Sequence, residues 1–206
     1  MNFLEFGLFL VVLIPSVSLH ELFHGWTAYR LGDPTAKLMG RLTLNPIAHI
    51  DPIGTLLLPF LMFLFTGFVF GYAKPVPINP ANLHDPKRDM ILIGLSGPVA
   101  NFLLALVFSL MIKAGLLTGL LTSLSIIYVL LRFGIIINLI LAIFNLVPIP
   151  PLDGSQVLMG ILPHHLAVSY SKLEPYGFLI IVGLLYLGII GKIIFPVINF
   201  LTMVLL

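Results

Sequence analysis

The chain has 206 residues, of which 59% are hydrophobic and only 9% are charged, and its mean hydropathy is +1.14. Soluble domains carry about 25% charged residues, so this composition excludes a soluble globular enzyme and predicts a membrane protein. The formal net charge of +2 provides no basic tract long enough to bind a nucleic acid, and no such partner is expected. The absence of cysteine excludes disulfides and thiolate metal sites.

The first apolar segment lies near the N-terminus and has no charge between residues 6 and 19. It reaches the length of a membrane span only if the helix continues through His20, Glu21 and His24 to about residue 29. No Lys or Arg precedes this segment, so it lacks the basic start of a cleavable signal peptide. We therefore expect a retained helix over 1–29 with polar groups inside the span.

Further apolar segments follow. Residues 90–113 are predicted to form a second span, and residues 124–152 a third span that ends in a cluster of prolines. Residues 175–206 form a C-terminal membrane segment, either one span with an interfacial tail or two short pieces. The chain is therefore predicted to be one domain over 1–206, an all-α polytopic membrane protein with a bundle of about four to six transmembrane or re-entrant helices.

The region between the first two spans, residues 30–89, is expected to differ from the rest. Residues 37–44, with the sequence KLMGRLTL, alternate between polar and apolar residues, and residues 74–78 are rich in proline. Both patterns are typical of strands, so a small membrane-associated β-sheet is predicted here, with an edge on which an extended substrate peptide can pair. Residues 51–72 are apolar but interrupted by Gly and Pro, which favours a re-entrant segment.

The distribution of Lys and Arg predicts the orientation in the membrane. A full crossing by residues 51–72 would divide six cations evenly between two faces, whereas re-entry keeps all six on one face. With a seventh cation after the third span, this face is predicted to be cytoplasmic and the N-terminus external. The seven cations are Arg30, Lys37, Arg41, Lys74, Lys87, Arg88 and Lys172.

His20, Glu21 and His24 form the motif HExxH. Residues four apart lie on the same face of a helix, so both imidazoles can bind one ion while Glu21 flanks it. A zinc ion held in this way lowers the pKa of a bound water to about 7, and the carboxylate can take its proton. The alternative is a polar contact between helices. A charge at the bilayer centre costs about 2.5–3.5 kcal/mol, which favours a functional interpretation.

A third ligand has to come from an acid or a histidine elsewhere in the chain. Asp153 follows the proline cluster at the end of the third span, where a polar group near the membrane is costly, and we expect it to be this ligand. The sequence Asp-Gly-Ser is also typical of a cap on the next helix, and both uses can coexist. Asp51 is the alternative ligand. His49 and His84 are expected to lie in turns.

Three motifs carry a family resemblance. HELFH stands at 20–24, GPVAN at 97–101 and NLVPIPPLDG at 145–154, and the third matches the pattern N-x-x-P-x-P-x-x-D-G position by position. Together they resemble the site-2 protease family of intramembrane zinc metalloproteases, peptidase family M50. The resemblance spans about residues 5–160 and is to the short prokaryotic form, which is expected to have no PDZ or CBS domain.

The resemblance implies His20, His24 and Asp153 as zinc ligands, Glu21 as the general base, and Asn145 as the residue that holds the substrate backbone. It implies an intramembrane zinc endopeptidase that cleaves membrane-spanning substrates, in regulated intramembrane proteolysis or in the clearance of signal-peptide remnants. The expected partners are a single-span membrane protein or peptide and the lipid bilayer. The expected location is the cell (cytoplasmic) membrane, with the active site toward the cytoplasmic side.

A metal transporter or a metal-sensing membrane protein is the alternative function, because His and Asp within spans also mark ion pathways. Transport requires polar groups on several helices, whereas the second span offers mainly Ser96, Asn101 and Ser109. In the GPVAN motif, Gly97, Pro98 and Asn101 are expected to have a structural role, with glycine allowing helices to approach closely. Zinc is favoured over other divalent ions by ligand type and availability. The sequence selects neither a substrate nor an oligomeric state.

Overall fold

The structure is a computed structural model that describes residues 2–66, 71–123 and 125–206. The α-helices in these residues are α1 (Phe3–Arg30), α2 (Thr35–Leu38), α3 (Leu58–Thr66), α4 (Pro86–Leu117), α5 (Ile126–Asn145), α6 (Asp153–Ile161), α7 (His164–Ser171), α8 (Gly177–Tyr186) and α9 (Ile189–Leu205). A π-helical turn, Pro52–Leu57, leads into α3, and 3₁₀ turns occur at Pro46–Ala48, Pro80–Asn82 and Glu174–Tyr176.

Among the described residues, helices α1, α4 and α5 are each long and apolar enough to cross a membrane. Each begins with a side-chain cap that satisfies free backbone N–H groups. Asn2 and Glu5 form a capping box on α1, the Asp85 carboxylate accepts from the Arg88 N–H on α4, and Ser125 caps α5. Apart from the carbonyls four residues before Pro15 in α1 and Pro98 in α4, the backbone of each helix satisfies its own hydrogen bonds, which is the condition for crossing hydrocarbon.

Helix α4 is the central element, because it packs against α1, α5 and α6. The main apolar core lies between α4, α5 and the C-terminal helices, whereas a smaller cluster joins α1 to α5. Buried members of the main core include Ala105, Ile112, Leu131, Ile135, Leu139, Ile181, Ile190, Ile194 and Ile198. This packing places the start of α6 beside α1, although the two are far apart in the sequence.

The C-terminal membrane segment consists of two pieces. The helical segments His164–Tyr186 and Ile189–Leu205 meet at an angle of 73°. The break lies at Gly188, whose φ of +69° is in the left-handed region that glycine adopts without a steric penalty. The structure therefore has two helices in this segment, α8 and α9, which are separated at Gly188.

The predicted β-sheet is wrong, because no strand occurs in the residues that the structure describes. Thr35–Leu38 form one turn of helix that overlaps the start of the strand predicted over 37–44, and the rest of that stretch has turns and bends. Gly40, with a φ of +68°, then turns the chain. Residues 71–79, which we call the strap, also form no strand and have no regular secondary structure.

The strap forms no ladder because its N–H groups go to separate partners. A β-ladder requires one neighbouring strand that exchanges bonds with successive residues. The two prolines of the strap, Pro75 and Pro77, also have no N–H to donate. Its bonds are Tyr72 N–H to Gly54 O (3.0 Å), Lys74 N–H to His49 O (3.0 Å) and Val76 N–H to Glu21 Oε2 (2.7 Å).

The π-helical turn, helix α3 and the strap form one segment that lies beside α1, and we call this segment the excursion. The apolar stretch Pro52–Phe65 is shorter than a membrane span. Phe63 of α3 stacks on Phe6 of α1 with ring centroids 4.6 Å apart. Residues 67–70 lie outside the described residues. After them, the N–H of Tyr72 donates to the carbonyl oxygen of Gly54, near the start of the excursion. Re-entry of this segment into the membrane stays a prediction.

Candidate metal centre

His20, His24 and Asp153 converge from α1 and the first turn of α6. Asp153 Oδ2 lies 3.0 Å from His20 Nε2 and 3.3 Å from His24 Nε2, and the two Nε2 atoms are 2.9 Å apart. All three residues are buried. The structure thus brings together the three side chains that the sequence predicted as ligands.

Local structure explains how each side chain reaches this point. His20 and His24 are four residues apart in α1 and therefore lie on one face of the helix. Asp153 is the first residue of α6, where the positive end of the helix dipole stabilises a carboxylate. Leu152 is the N-cap of α6 and no side chain caps this helix, so the carboxylate of Asp153 is not used as the cap that its sequence also suggested.

The outer nitrogens of the two imidazoles are bound to acceptors. His20 Nδ1 lies 2.5 Å from Asn101 Oδ1, and His24 Nδ1 lies 2.7 Å from the carbonyl oxygen of Ile93. Because these oxygens accept, both Nδ1 atoms donate, and in the neutral imidazoles both Nε2 atoms carry lone pairs.

Three acceptors therefore face one another at this point. Asp153 Oδ2 is buried and has no hydrogen-bond donor, because its neighbours are the lone pairs of His20 Nε2 and His24 Nε2. Acceptors that converge without a proton between them repel one another unless a cation binds them. Two imidazoles and one carboxylate are a donor set found at catalytic zinc sites, so the residues fit a zinc-like divalent ion.

Helix α4 approaches the imidazoles closely at Gly97. A Cβ atom at this position would lie 2.3 Å from His24 Nε2 and 2.6 Å from His20 Cε1. Asn101 is one turn further along α4, on the same face, and binds His20 directly. The structural role predicted for the GPVAN motif is therefore incomplete, because its asparagine contacts a candidate metal ligand.

Glu21 lies in α1 beside the two histidines and is partly exposed. Its Oε2 accepts the N–H of Val76 at 2.7 Å, so the strap holds the carboxylate. Asn145 lies on the last turn of α5, where its Nδ2 donates to the carbonyl of Leu141 at 3.0 Å. Its predicted role in holding substrate stays a prediction.

The alternative ligands have other contacts. Asp51 Oδ1 accepts the N–H groups of Ile53 and Gly54 and so caps the π-helical turn. His49 is buried in the loop before that turn, and its Nε2 lies 2.8 Å from the carbonyl of Thr43. Among the described residues, the group with metal-binding geometry is that of His20, His24 and Asp153.

Sequence reasoning missed two polar residues near the centre, Ser16 and Asn138. Asn101 Nδ2 donates to Ser16 O at 3.2 Å and to Asn138 Oδ1 at 2.8 Å. Asn138 Nδ2 donates to Ser16 Oγ and to Gly134 O, each at 2.9 Å. An asparagine in the middle of an apolar span is costly in lipid, and this cost was the signal that could have identified Asn138.

The family is shown by sequence comparison. The model of the family described as Peptidase family M50 matches residues 8–126 and 114–187. The chain belongs to peptidase family M50. This membership confirms the resemblance to the site-2 proteases, and together with the three spanning helices it makes the chain a multi-pass membrane protein.

Several named relatives resemble the chain over most of its length. It is 36% identical over 199 residues to "Putative zinc metalloprotease YwhC" of Bacillus subtilis, which covers 92% of this chain and 84% of that one. It is 31% identical over 188 residues to "Putative zinc metalloprotease Rip2" of Mycolicibacterium smegmatis, with 87% and 68% covered. It is 26% identical over 161 residues to "Zinc metalloprotease MJ0392" of Methanocaldococcus jannaschii, with 78% and 36% covered. No solved structure matches the chain significantly.

Proposed function

We propose that this member of family M50 is an intramembrane zinc-dependent endopeptidase that hydrolyses peptide bonds of membrane-spanning substrates. The observation that carries the proposal is the buried convergence of His20 Nε2, His24 Nε2 and Asp153 Oδ2 beside Glu21. The relatives are named as zinc metalloproteases, which supports zinc as the ion.

His20, His24 and Asp153 would hold the zinc. When bound, zinc supplies a Lewis acid that polarises a scissile carbonyl and lowers the pKa of a water molecule. Other residues of the chain orient the two imidazole rings. Asn101 Oδ1 and Ile93 O hold the two rings by their Nδ1–H groups, so both Nε2 lone pairs face the carboxylate of Asp153.

Glu21 moves the proton. Its carboxylate takes a proton from the attacking water and returns it to the amide nitrogen that leaves, so the peptide C–N bond breaks as the new C–O bond forms. The N–H of Val76 fixes the orientation of this carboxylate through Oε2. The strap therefore contributes to the position of the base.

The substrate has to present extended backbone at the centre, because a helix hides its carbonyls in its own hydrogen bonds. A membrane-spanning protein or peptide must therefore unwind locally before it is cleaved. Asn145, at the end of α5, is proposed to hold the substrate backbone through its side-chain amide. The bilayer is the second partner, since the apolar faces of the spanning helices are exposed on the isolated chain.

The centre is proposed to face the cytoplasmic side of the cell membrane. His20 and His24 lie in the half of α1 that ends at Arg30. The segments after α1 and α5, together with the helix ends that flank them, carry seven of the ten Lys and Arg residues, and such positively charged segments remain on the cytoplasmic side. This places the N-terminus of α1 outside.

The test is the substitution Glu21→Gln in the full-length protein, assayed on a membrane peptide that the wild type cleaves. We expect the rate to fall about 10²- to 10⁴-fold while zinc binding is retained, because a general acid–base catalyst is lost and the ligands stay. Glu174→Gln, in an exposed 3₁₀ turn, is the matched control and should keep the rate.

Cleavage at the wild-type rate by the Glu21→Gln variant would contradict the proposal, and so would cleavage that survives removal of metal by a chelator. Zinc flux into proteoliposomes without any proteolysis would instead establish the transporter.

A further inference from the structure

A chain of buried polar side chains connects α5 to His20. It consists of Asn138 on α5, Ser16 on α1 and Asn101 on α4, and we call it the amide relay. Asn138 and Asn101 are 0% exposed and Ser16 is 1% exposed. Polar groups at this depth are costly unless each of them is hydrogen-bonded, and the relay satisfies them with one another and with backbone carbonyls.

Backbone carbonyls fix the direction of every bond in the amide relay, because a carbonyl oxygen only accepts. The hydroxyl of Ser16 has to donate to one of them, and so do the side-chain amides of both asparagines. These bonds are Ser16 Oγ–H to Val12 O (2.8 Å), Asn138 Nδ2 to Gly134 O (2.9 Å) and Asn101 Nδ2 to Ser16 O (3.2 Å).

The side-chain oxygens are left to accept. Asn138 Oδ1 accepts from Asn101 Nδ2 at 2.8 Å, and this second bond keeps the amide of Asn101 in one orientation. Asn101 Oδ1 then faces His20 and accepts its Nδ1–H. The proton of the neutral imidazole is thereby assigned to Nδ1, and the lone pair of Nε2 is turned toward Asp153.

We propose that Asn138 and Ser16 are positioning residues for the metal ligand His20. They touch neither the ion nor the substrate, and they act through Asn101 by selecting the tautomer and the ring orientation of His20. The proposal rests on the proposed function, because it assumes that His20 is a ligand. It adds that α5 is linked to the metal centre in two ways. Its C-terminal end leads to the turn before Asp153, and the amide relay connects its Asn138 to His20 on α1.

Helix α1 provides a matched control in Ser18. Its hydroxyl donates to the carbonyl of Ile14 at 2.8 Å, just as that of Ser16 donates to Val12, and Ser18 is 2% exposed. Both serines are therefore buried and bond four residues back in the same helix. Only Ser16 also accepts from Asn138.

The experiment measures the zinc affinity of the full-length, metal-free protein by competition with a chelator. Loss of a group that supports a metal ligand typically weakens binding 10- to 100-fold, so Asn138→Leu should weaken it about tenfold. Ser16→Ala should weaken it less, about threefold, because Asn138 keeps its bond to Gly134. Ser18→Ala should leave the affinity unchanged.

Two further measurements separate positioning from packing. In the Co²⁺-substituted protein, Asn138→Leu should shift the visible absorption bands, since the ligand field changes with the orientation of His20, whereas Ser18→Ala should not. With zinc at saturation, Asn138→Leu should lower kcat and leave KM unchanged, because the substrate contacts remain.

Wild-type affinity and spectra in both Ser16→Ala and Asn138→Leu would overturn the proposal, and so would an equal loss in Ser16→Ala and Ser18→Ala. If Asn138→Leu does not fold, the two serine variants decide alone. A wild type that binds no zinc or cleaves nothing would instead overturn the proposed function, so the two failures are distinguishable.

Discussion

The geometry of the metal centre depends on the close approach of α4 at Gly97 and on the position of the Asp153 carboxylate. At Gly97 the backbone of α4 lies so close to the imidazoles that the added Cβ of any other residue would overlap them. At Asp153 one carboxylate oxygen faces two lone pairs. Both features follow from the packing of α4 between α1 and α6, and each can be tested by one substitution with a matched control.

Gly97→Ala is expected to weaken zinc binding about 10- to 100-fold, because a methyl group 2.3 Å from His24 Nε2 forces the ring to move. Gly7→Ala is the control, since a Cβ there meets nothing within 4 Å. Chelator competition measures both. Unchanged affinity in Gly97→Ala would show that the rings can shift without loss, contrary to the argument from close approach.

Asp153→Asn and Asp51→Asn distinguish the two candidate third ligands. Asp153→Asn removes the charge that faces both imidazoles, and zinc binding should fall by at least about tenfold. Asp51→Asn should keep the affinity, because asparagine also caps a helix through Oδ1. The same titration applies to both variants. A loss confined to Asp51→Asn would make Asp51 the ligand.

At the scale of elements, the strap depends on the loop after α1. Asp33, which is fully buried, accepts the N–H of Asn79 at 2.7 Å and the side-chain amide of Asn82 at 2.8 Å. Burial alone would raise the pKa of Asp33, but the hydrogen bonds from Asn82, Thr35 and Asn79 outweigh it and hold the pKa below its ordinary value. The ionised carboxylate therefore fastens the end of the strap.

Asp33→Ala is expected to speed hydrogen exchange in residues 71–82 about tenfold at neutral pH, which corresponds to the loss of a charged hydrogen bond of about 1.5 kcal/mol. Because the folded pKa lies below the unfolded one, this stabilisation is present above about pH 4 and disappears as the pH falls through the folded pKa. The difference between variant and wild type should disappear in the same range.

Exchange measured by mass spectrometry at matched pH tests this prediction. Asn45→Ala is the control, because Asn45 caps only a local 3₁₀ turn. Equal exchange in Asp33→Ala and wild type at neutral pH would show that other contacts hold the strap.

At the scale of the whole molecule, the proposed orientation implies a specific topology for the three spanning helices. With the N-terminus outside, α1 leads into the cytoplasm, α4 leads out, and α5 leads back. The loop between α4 and α5 is then external, whereas the loops after α1 and α5 are cytoplasmic. In this proposed topology, the excursion formed by α3 and the strap would start and end on the cytoplasmic face.

Single cysteines can test this topology, because the chain contains no cysteine that would react in the background. Lys37→Cys and Lys172→Cys should react with a membrane-impermeant maleimide in inverted vesicles and not in intact cells. Leu120→Cys, in the exposed loop between α4 and α5, should show the opposite pattern. Labelling of Lys37→Cys in intact cells would reverse the orientation of the chain.

The sequence by itself determined the features that depend on local periodicity and composition. Long apolar runs with few charges predicted the three long helices, because the bilayer sets the length of a span. The spacing of His20 and His24 placed them on one helical face, because a helix has 3.6 residues per turn. The proline cluster and the cost of a buried acid singled out Asp153.

Only the tertiary structure decided the contacts between residues that are far apart in the chain. Hydropathy does not specify which helix faces which, so neither the bond from Asn101 to His20 nor the amide relay could be derived from it. The proline-rich pattern of residues 74–78 is typical of a strand, but a sheet also requires a neighbouring strand with which to pair. The N–H groups of the strap bind separate partners instead, one of which is Glu21. Which partners they bind is determined by the tertiary packing.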